Sequence, residues 1–149
     1  MTSESDQQIR QALRIAPLFY VTDIQKAVAY YQDVLGFCTD QIWGHPPCFA
    51  MPCRDGCTVM LQQTDDESLI RPKGDRSDWD AYVWVFDADE LFDEYRAKGA
   101  IVGYEPMDKL YYGNREFAIK DLDGHLIAFG HHLEDKAARL ALASQKGNG

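Results

Sequence analysis

The chain alternates apolar and polar positions in two blocks that follow one plan. The first opens with the apolar run RIAPLFYV (Arg14–Val21), passes through Thr22–Asp23 and continues as IQKAVAYYQDVLGF. The second opens with AYVWVF (Ala81–Phe86), passes through Asp87 and continues as ADELFDEYRAKGA. Ile24, Ala27, Val28, Tyr31 and Leu35 recur at helical spacing on one face, as do Ala88, Leu91, Phe92 and Tyr95. Thr22 with Gln25 has capping-box spacing, and Asp87 with Glu90 makes the second start. Gly36 and Gly99 suit left-handed helix stops. Each block predicts a strand, an acidic start, an amphipathic helix and a glycine stop.

Short strand-like runs follow each helix. The first block offers Phe37–Trp43, Cys48–Pro52 and Thr58–Gln63; the second offers Ile101–Tyr104, Arg115–Lys120 and Leu126–Gly130. The pattern predicts two β-α-β-β-β modules, at about residues 14–63 and 80–131. They are joined by a polar, Gly/Pro-punctuated linker at 64–79 and followed by a tail at 132–149 that contains a short helix. The fold class is α+β, in one domain of two repeats.

Composition narrows the function. With 149 residues, 46% hydrophobic and 26% charged, the chain is expected to fold as a soluble globular domain. No apolar stretch approaches the ~20 residues of a membrane span, so no membrane partner is expected. The N-terminus lacks the basic start and apolar core of a secretory signal, which points to the cytoplasm. The four cysteines are then expected as reduced thiols. A net charge of −9 disfavours nucleic acid and favours a cationic ligand.

Two clusters invite a chemical reading. His125 beside Asp121 and Asp123 has the makings of a general acid or base, but turn geometry explains every residue of DLDGH. HPPCFAMPCRDGC contains His45, Cys48, Cys53 and Cys57 without the close C-x2-C pair of structural zinc sites. These thiols read as free cysteines buried in a core, and His131–His132 as an exposed strand end. A nucleophile elbow, a phosphate-binding glycine loop and a dinucleotide fingerprint are all missing from the sequence.

The paired modules, with YVTDIQKAVAYYQDVLGF (Tyr20–Phe37) and REFAIKDLDGHLIAF (Arg115–Phe129), resemble the vicinal oxygen chelate superfamily from about Arg14 to His131. That group includes glyoxalase I, bleomycin-resistance proteins, fosfomycin-resistance enzymes and extradiol dioxygenases. The resemblance implies an open, cup-shaped barrel with helices outside, a ligand cavity inside and a homodimer. It also implies metal-ligand positions, which here read Ala16, Met60, Ala81 and Ala128. A slip of one residue gives Pro17, Leu61, Asp80 and Phe129, adding a single carboxylate. Such a set holds no hard or borderline divalent ion. The chain therefore looks most like the metal-free, bleomycin-resistance branch, and the resemblance implies a part in antibiotic resistance.

Strand alternation counted from Ala16 turns Leu18 and Tyr20 inward and Phe19 and Val21 towards the helix. Counted from Ala81, Val83 and Val85 turn inward and Tyr82 and Trp84 towards the helix. Trp43, Phe49 and Tyr112 lie in or beside loops and take no side, and one of Glu116 and Phe117 points inward. The candidate ligand-binding set is Leu18, Tyr20, Trp43, Phe49, Met60, Val83, Tyr112, Glu116, Phe117 and Ala128, with no catalytic residue, metal or cofactor. The expected function is sequestration of a bulky, aromatic or cationic small molecule. The alternatives are a glyoxalase-like or dioxygenase-like metal enzyme using His45, His131 or Asp80, and a partner-binding protein.

Overall fold

A computed structural model describes residues 9–73 and 78–147. The first module contains strand β1 (Leu18–Val21), helix α1 (Ile24–Asp33), and short strands β2 (Ile42–Trp43), β3 (Phe49–Ala50), β4 (Cys53–Arg54), β5 (Cys57–Thr58) and β6 (Met60–Gln63). The second contains β7 (Ala81–Trp84), α2 (Ala88–Ala97), β8 (Ile101–Lys109), β9 (Asn114–Lys120) and β10 (Leu126–His132), followed by helix α3 (Leu133–Gly147). The fold is α+β, two β-α-β-β-β modules. Sheet orders are β1-β6-β3-β2 and β7-β10-β9-β8, the same topology twice, with β4 and β5 forming a separate ribbon. Both sheets stay open. Among the described residues no helix is long and apolar enough to cross a membrane.

The helix starts obey one rule with one correction. Asp23 and Asp87 are both extended N-caps, and their carboxylates accept from Lys26 N (3.1 Å) and Glu90 N (3.2 Å). Thr22 is not the cap. Its backbone N–H and hydroxyl instead donate to the Asp123 carboxylate of the other module, so its side chain is unavailable to α1. Gly36 and Gly99, at φ +75° and +82°, stop the helices as expected.

The first module's strands are shorter than their apolar runs. Pro46, Pro47 and Pro52 remove ladder donors, and Gly44 and Gly56 turn the chain at positive φ, so only fragments of Phe37–Trp43 and Cys48–Pro52 pair. In the second module β8 runs on from Tyr104 to Lys109 against β9, and the tail helix is longer than its sequence signal.

One core serves both modules. Phe19, Val21, Tyr31, Leu61, Tyr95, Phe117, Ile127 and Phe129 belong to a single buried cluster, covered by the apolar faces of α1 and α2. Each fully buried large side chain contributes about 1.5–3 kcal/mol. The DLDGH turn joins the modules. Asp121 accepts from Tyr31 Oη (2.9 Å), Asp123 N (3.0 Å) and His125 N (2.8 Å), and contacts His125 Nδ1 at 2.9 Å. The His125 ring stacks on Phe19 of β1, with centroids 4.4 Å apart and planes within 6°. Burial and the Asp121 charge push the Tyr31 phenol well above its ordinary pKa, so it remains a donor.

Two sequence expectations fail here. None of the four free cysteines is buried; Cys38 and Cys57 are exposed and Cys48 and Cys53 half-buried, and Cys53 and Cys57 belong to the β4–β5 ribbon rather than to either four-stranded sheet. His131 is not an exposed strand end. It is 1% exposed, and its Nδ1 accepts from Ala88 N (2.9 Å), taking up a donor in the first turn of α2. Only His132 is exposed.

Candidate ligand-binding face

Each sheet has one face on the core and one left open. In the first sheet Phe19, Val21, Ala50 and Leu61 go into the core. The pairs Leu18–Met60, Tyr20–Gln62, Phe49–Gln62 and Trp43–Phe49 therefore fall on the open face. Five expected residues, Leu18, Tyr20, Trp43, Phe49 and Met60, come together there, with the Trp43 and Phe49 rings 5.8 Å apart.

In the second sheet the parity differs from the sequence expectation for β7. Val83 and Val85 pack against the core, while Tyr82 packs on the open side with Ala118, Leu126 and Ala128. Val83 lines a crevice of about 410 Å³ between the modules, with Phe37, Arg54 and Phe129. Phe117 is also a core residue, stacked on Phe129 at 5.4 Å, so Glu116 is the member of its pair on the open face. Ala81 stands six residues before Asp87 and Ala16 seven before Asp23, so the two are one residue out of phase. Counted from the acidic helix starts, Tyr82 and Trp84 occupy the positions of Leu18 and Tyr20.

The register then builds a site. Tyr82, Ala128, Ala118 and Tyr104 form one row across β7, β10, β9 and β8. Trp84, Gly130 and Glu116 form the next, and His132 pairs with Asn114 in the third. The two alanines leave a trough between two tyrosine rings. Gly130 completes it, because a Cβ there would collide with the Tyr82 hydroxyl. Ala128 is therefore part of a floor.

Glu116 sits in this trough with no solvent exposure. Its Oε1 accepts from Tyr82 Oη (3.3 Å) and from Tyr112 Oη, and its Oε2 accepts from Tyr104 Oη. Three phenol protons on two oxygens are the environment of a carboxylate anion. Burial first, and then the Glu116 charge, raise Tyr104 and Tyr112 far above the ordinary tyrosine range. Tyr82 is pushed up to about 12 by burial and Glu116, against the opposing hydrogen bond from Asn114. Each phenol is a donor at neutral pH.

Aromatic groups surround the carboxylate. Trp79, Tyr82, Trp84, Tyr112, Asn114 and His132 line a groove of about 500 Å³. Trp79 meets Tyr82 at 5.1 Å and Tyr112 at 6.3 Å, Tyr82 meets Trp84 at 4.9 Å, and Trp84 meets His132 at 4.5 Å. Tyr112, Glu116 and Ala128 are the expected residues that this face unites. Trp79, Tyr82, Trp84, Tyr104, Asn114 and His132 escaped sequence reasoning. Parity counted from Asp87 exposes Tyr82 and Trp84; Trp79 was hidden in the linker.

The sequence profile of the Glyoxalase/Bleomycin resistance protein/Dioxygenase superfamily matches residues 12–129. The chain belongs to that superfamily. Among solved structures it is similar to TioX from Micromonospora sp. ML1, at 28% identity and a TM-score of 0.65, over 82% of this chain and 100% of that one. It also shares its fold with the bleomycin-binding protein of bleomycin-producing Streptomyces verticillus, complexed with copper(II)-bleomycin. That match has 22% identity and a TM-score of 0.59, over 81% and 97% of the two chains. A third is TnmS3, an antibiotic binding protein from Streptomyces sp. CB03234, with 20% identity and a TM-score of 0.60 over 83% and 99%. No curated protein matches the chain.

The superfamily includes metal enzymes, and the residues here do not fit a metal. Among the described residues no three His, Cys, Asp or Glu side chains gather as an ion requires. Glu116 spends both oxygens on phenols, and Ala128, Ala118 and Gly130 around it offer no donor atom.

Proposed function

We propose that this protein binds a small aromatic, cationic molecule non-covalently on the open face of its second sheet, without a metal, and so sequesters it. The observation that carries the proposal is a groove walled by Trp79, Tyr82, Trp84 and Tyr112, with the buried Glu116 carboxylate hydrogen-bonded to two of those walls, Tyr82 and Tyr112. The ring faces attract a cation through their quadrupoles, and the carboxylate supplies the complementary charge. The chain's own Lys109 ammonium already lies over the Tyr104 ring, 5.6 Å from its centroid. The net charge of −9 raises the local concentration of cations and speeds their encounter. That the same fold holds copper(II)-bleomycin in the Streptomyces verticillus protein supports a ligand-binding role. In this reading Tyr112 touches the ligand, Glu116 supplies charge from behind the tyrosines and Ala128 makes room for them, and a homodimer and a cytoplasmic setting accompany it as expectations of the family and the sequence.

Calorimetric titration of the full chain with tryptamine, and with its neutral isostere tryptophol, tests the reading. Saturable binding of tryptamine with weaker binding of tryptophol is expected. Failure of tryptamine to bind, or equal binding of the two, overturns it. Stoichiometric zinc, nickel, manganese or iron in protein purified without chelators overturns the metal-free part.

A further inference from the structure

Asn114 is 1% exposed and stands at the edge of the aromatic groove, at the end of a directed hydrogen-bond chain. Its Nδ2 donates to Tyr82 Oη at 2.9 Å, and Tyr82 in turn donates to Glu116 Oε1. That direction fixes the amide. The Tyr82 proton is committed to the carboxylate, so the phenol oxygen is open to a donor, and among the described residues the Asn114 NH2 supplies it. Asn114 Oδ1 is then left buried with no hydrogen-bond partner among the described residues. Buried amide oxygens without a partner are rare, because each forfeits a hydrogen bond that it would make in water.

The groove is therefore asymmetric in its polar chemistry. Asn114, which lines it between π faces, carries an acceptor without a partner, while the Glu116 carboxylate behind the walls is already bonded to three phenols. Cation–π attraction and carboxylate charge by themselves favour any organic cation, including a quaternary ammonium with no proton to give. An unsatisfied acceptor adds a requirement for an N–H. Tyr112, on the β8–β9 loop and 39% exposed, is the wall best placed to yield when a ligand enters.

Resting on the ligand-binding reading above, we infer that the groove selects a protonated amine or amidinium, with Asn114 Oδ1 accepting one of its N–H groups, over a quaternary ammonium of the same shape. Asn114 is the specificity-determining residue. A site with a buried acceptor discriminates against a ligand that cannot satisfy it more strongly than an apolar wall discriminates by size.

Tryptamine and N,N,N-trimethyltryptammonium carry the same ring and charge and differ in N–H donors. Calorimetry with the full wild-type chain should give tryptamine an advantage of about ten-fold or more. In Asn114→Leu the advantage should fall to about one. Asn114→Asp, which retains an acceptor at the same place, should keep it. Equal binding of the two cations to the wild type, or an advantage that survives in Asn114→Leu, overturns the inference while leaving the ligand-binding reading intact. Binding of neither cation defeats both. Should Asn114→Leu not fold, the wild-type ratio together with Asn114→Asp decides, and loss of the advantage in Asn114→Asp counts against the inference.

Discussion

The two sheets share a topology and differ in what they leave open. Leu18, Tyr20, Phe49, Met60 and Gln62 in the first sheet correspond by register to Tyr82, Trp84, Glu116, Ala128 and Gly130 in the second. Where the second sheet has a carboxylate the first has a phenyl ring. Where the second has a glycine, making room for a tyrosine hydroxyl, the first has Gln62, whose amide bonds the Cys48 carbonyl at 3.2 Å. The fold determines which face is free of helices. The residues at the odd or even positions then decide whether that face is merely apolar or carries a charged, hydrogen-bonded site.

Substitution of corresponding residues breaks the comparison most sharply. Glu116→Ala strands three phenol hydroxyls and removes the charge. Binding of tryptamine should fall by about 100-fold and stability by about 2–4 kcal/mol in denaturant titrations. Phe49→Ala should cost about 1–2 kcal/mol through lost packing and leave binding unchanged. Equal losses of binding in the two variants would remove the distinction between the faces.

A single methyl group tests the geometry. Gly130→Ala places a Cβ against the Tyr82 hydroxyl and within 3.1 Å of Glu116 Cβ. Stability should drop by about 1–3 kcal/mol, with binding weaker by about ten-fold.

Alkaline pH acts on the second face as well as on the core phenols Tyr31 and Tyr95, whose pKa values burial also raises. Tyr82, Tyr104 and Tyr112 have their pKa values raised by burial and Glu116, and Tyr82 reaches about 12. Folding favours their neutral forms. Their contribution is complete below about pH 10, the range of the unfolded phenol, and is lost as pH rises through the folded values. Thermal melts should show stability falling above about pH 10. Glu116→Gln, which removes the charge that helps raise these values, should make the fall shallower. An identical profile in the variant would show that Glu116 is not the cause.

The smallest effect is expected in the crevice between the modules. Arg54 and Glu94 pair at 2.7 Å on its rim, both partly exposed. Glu94→Gln should cost less than about 1 kcal/mol and leave tryptamine binding unchanged, which separates that crevice from the open face.

How much of this was legible in the sequence follows from where each signal lies. The helices could be read because Ile24–Leu35 and Ala88–Tyr95 keep their spacing, and because an aspartate and a glycine mark both ends. The open face of the first sheet was legible from alternation in β1. In β7 the same alternation was anchored on Ala81 and came out inverted, which placed Val83 inside and hid Tyr82 and Trp84. Phe117 and Glu116 could not be separated until β9 was paired with β10, since alternation yields two faces without naming the core. Tyr104 and Asn114 needed the register of β8, β9 and β10, and no local pattern encodes that long-range pairing. The inter-module role of DLDGH was equally out of reach, because Tyr31 and Phe19 are distant in the chain.

The three tryptophans divide the faces, Trp43 on the first and Trp79 and Trp84 at the second. An indole N–H nuclear magnetic resonance titration of the isotope-labelled full chain with unlabelled tryptamine therefore tests the central claim most directly. The account predicts that the Trp79 and Trp84 indole signals shift saturably together while Trp43 stays in place. A shift confined to Trp43, or of equal size on both faces, would contradict it.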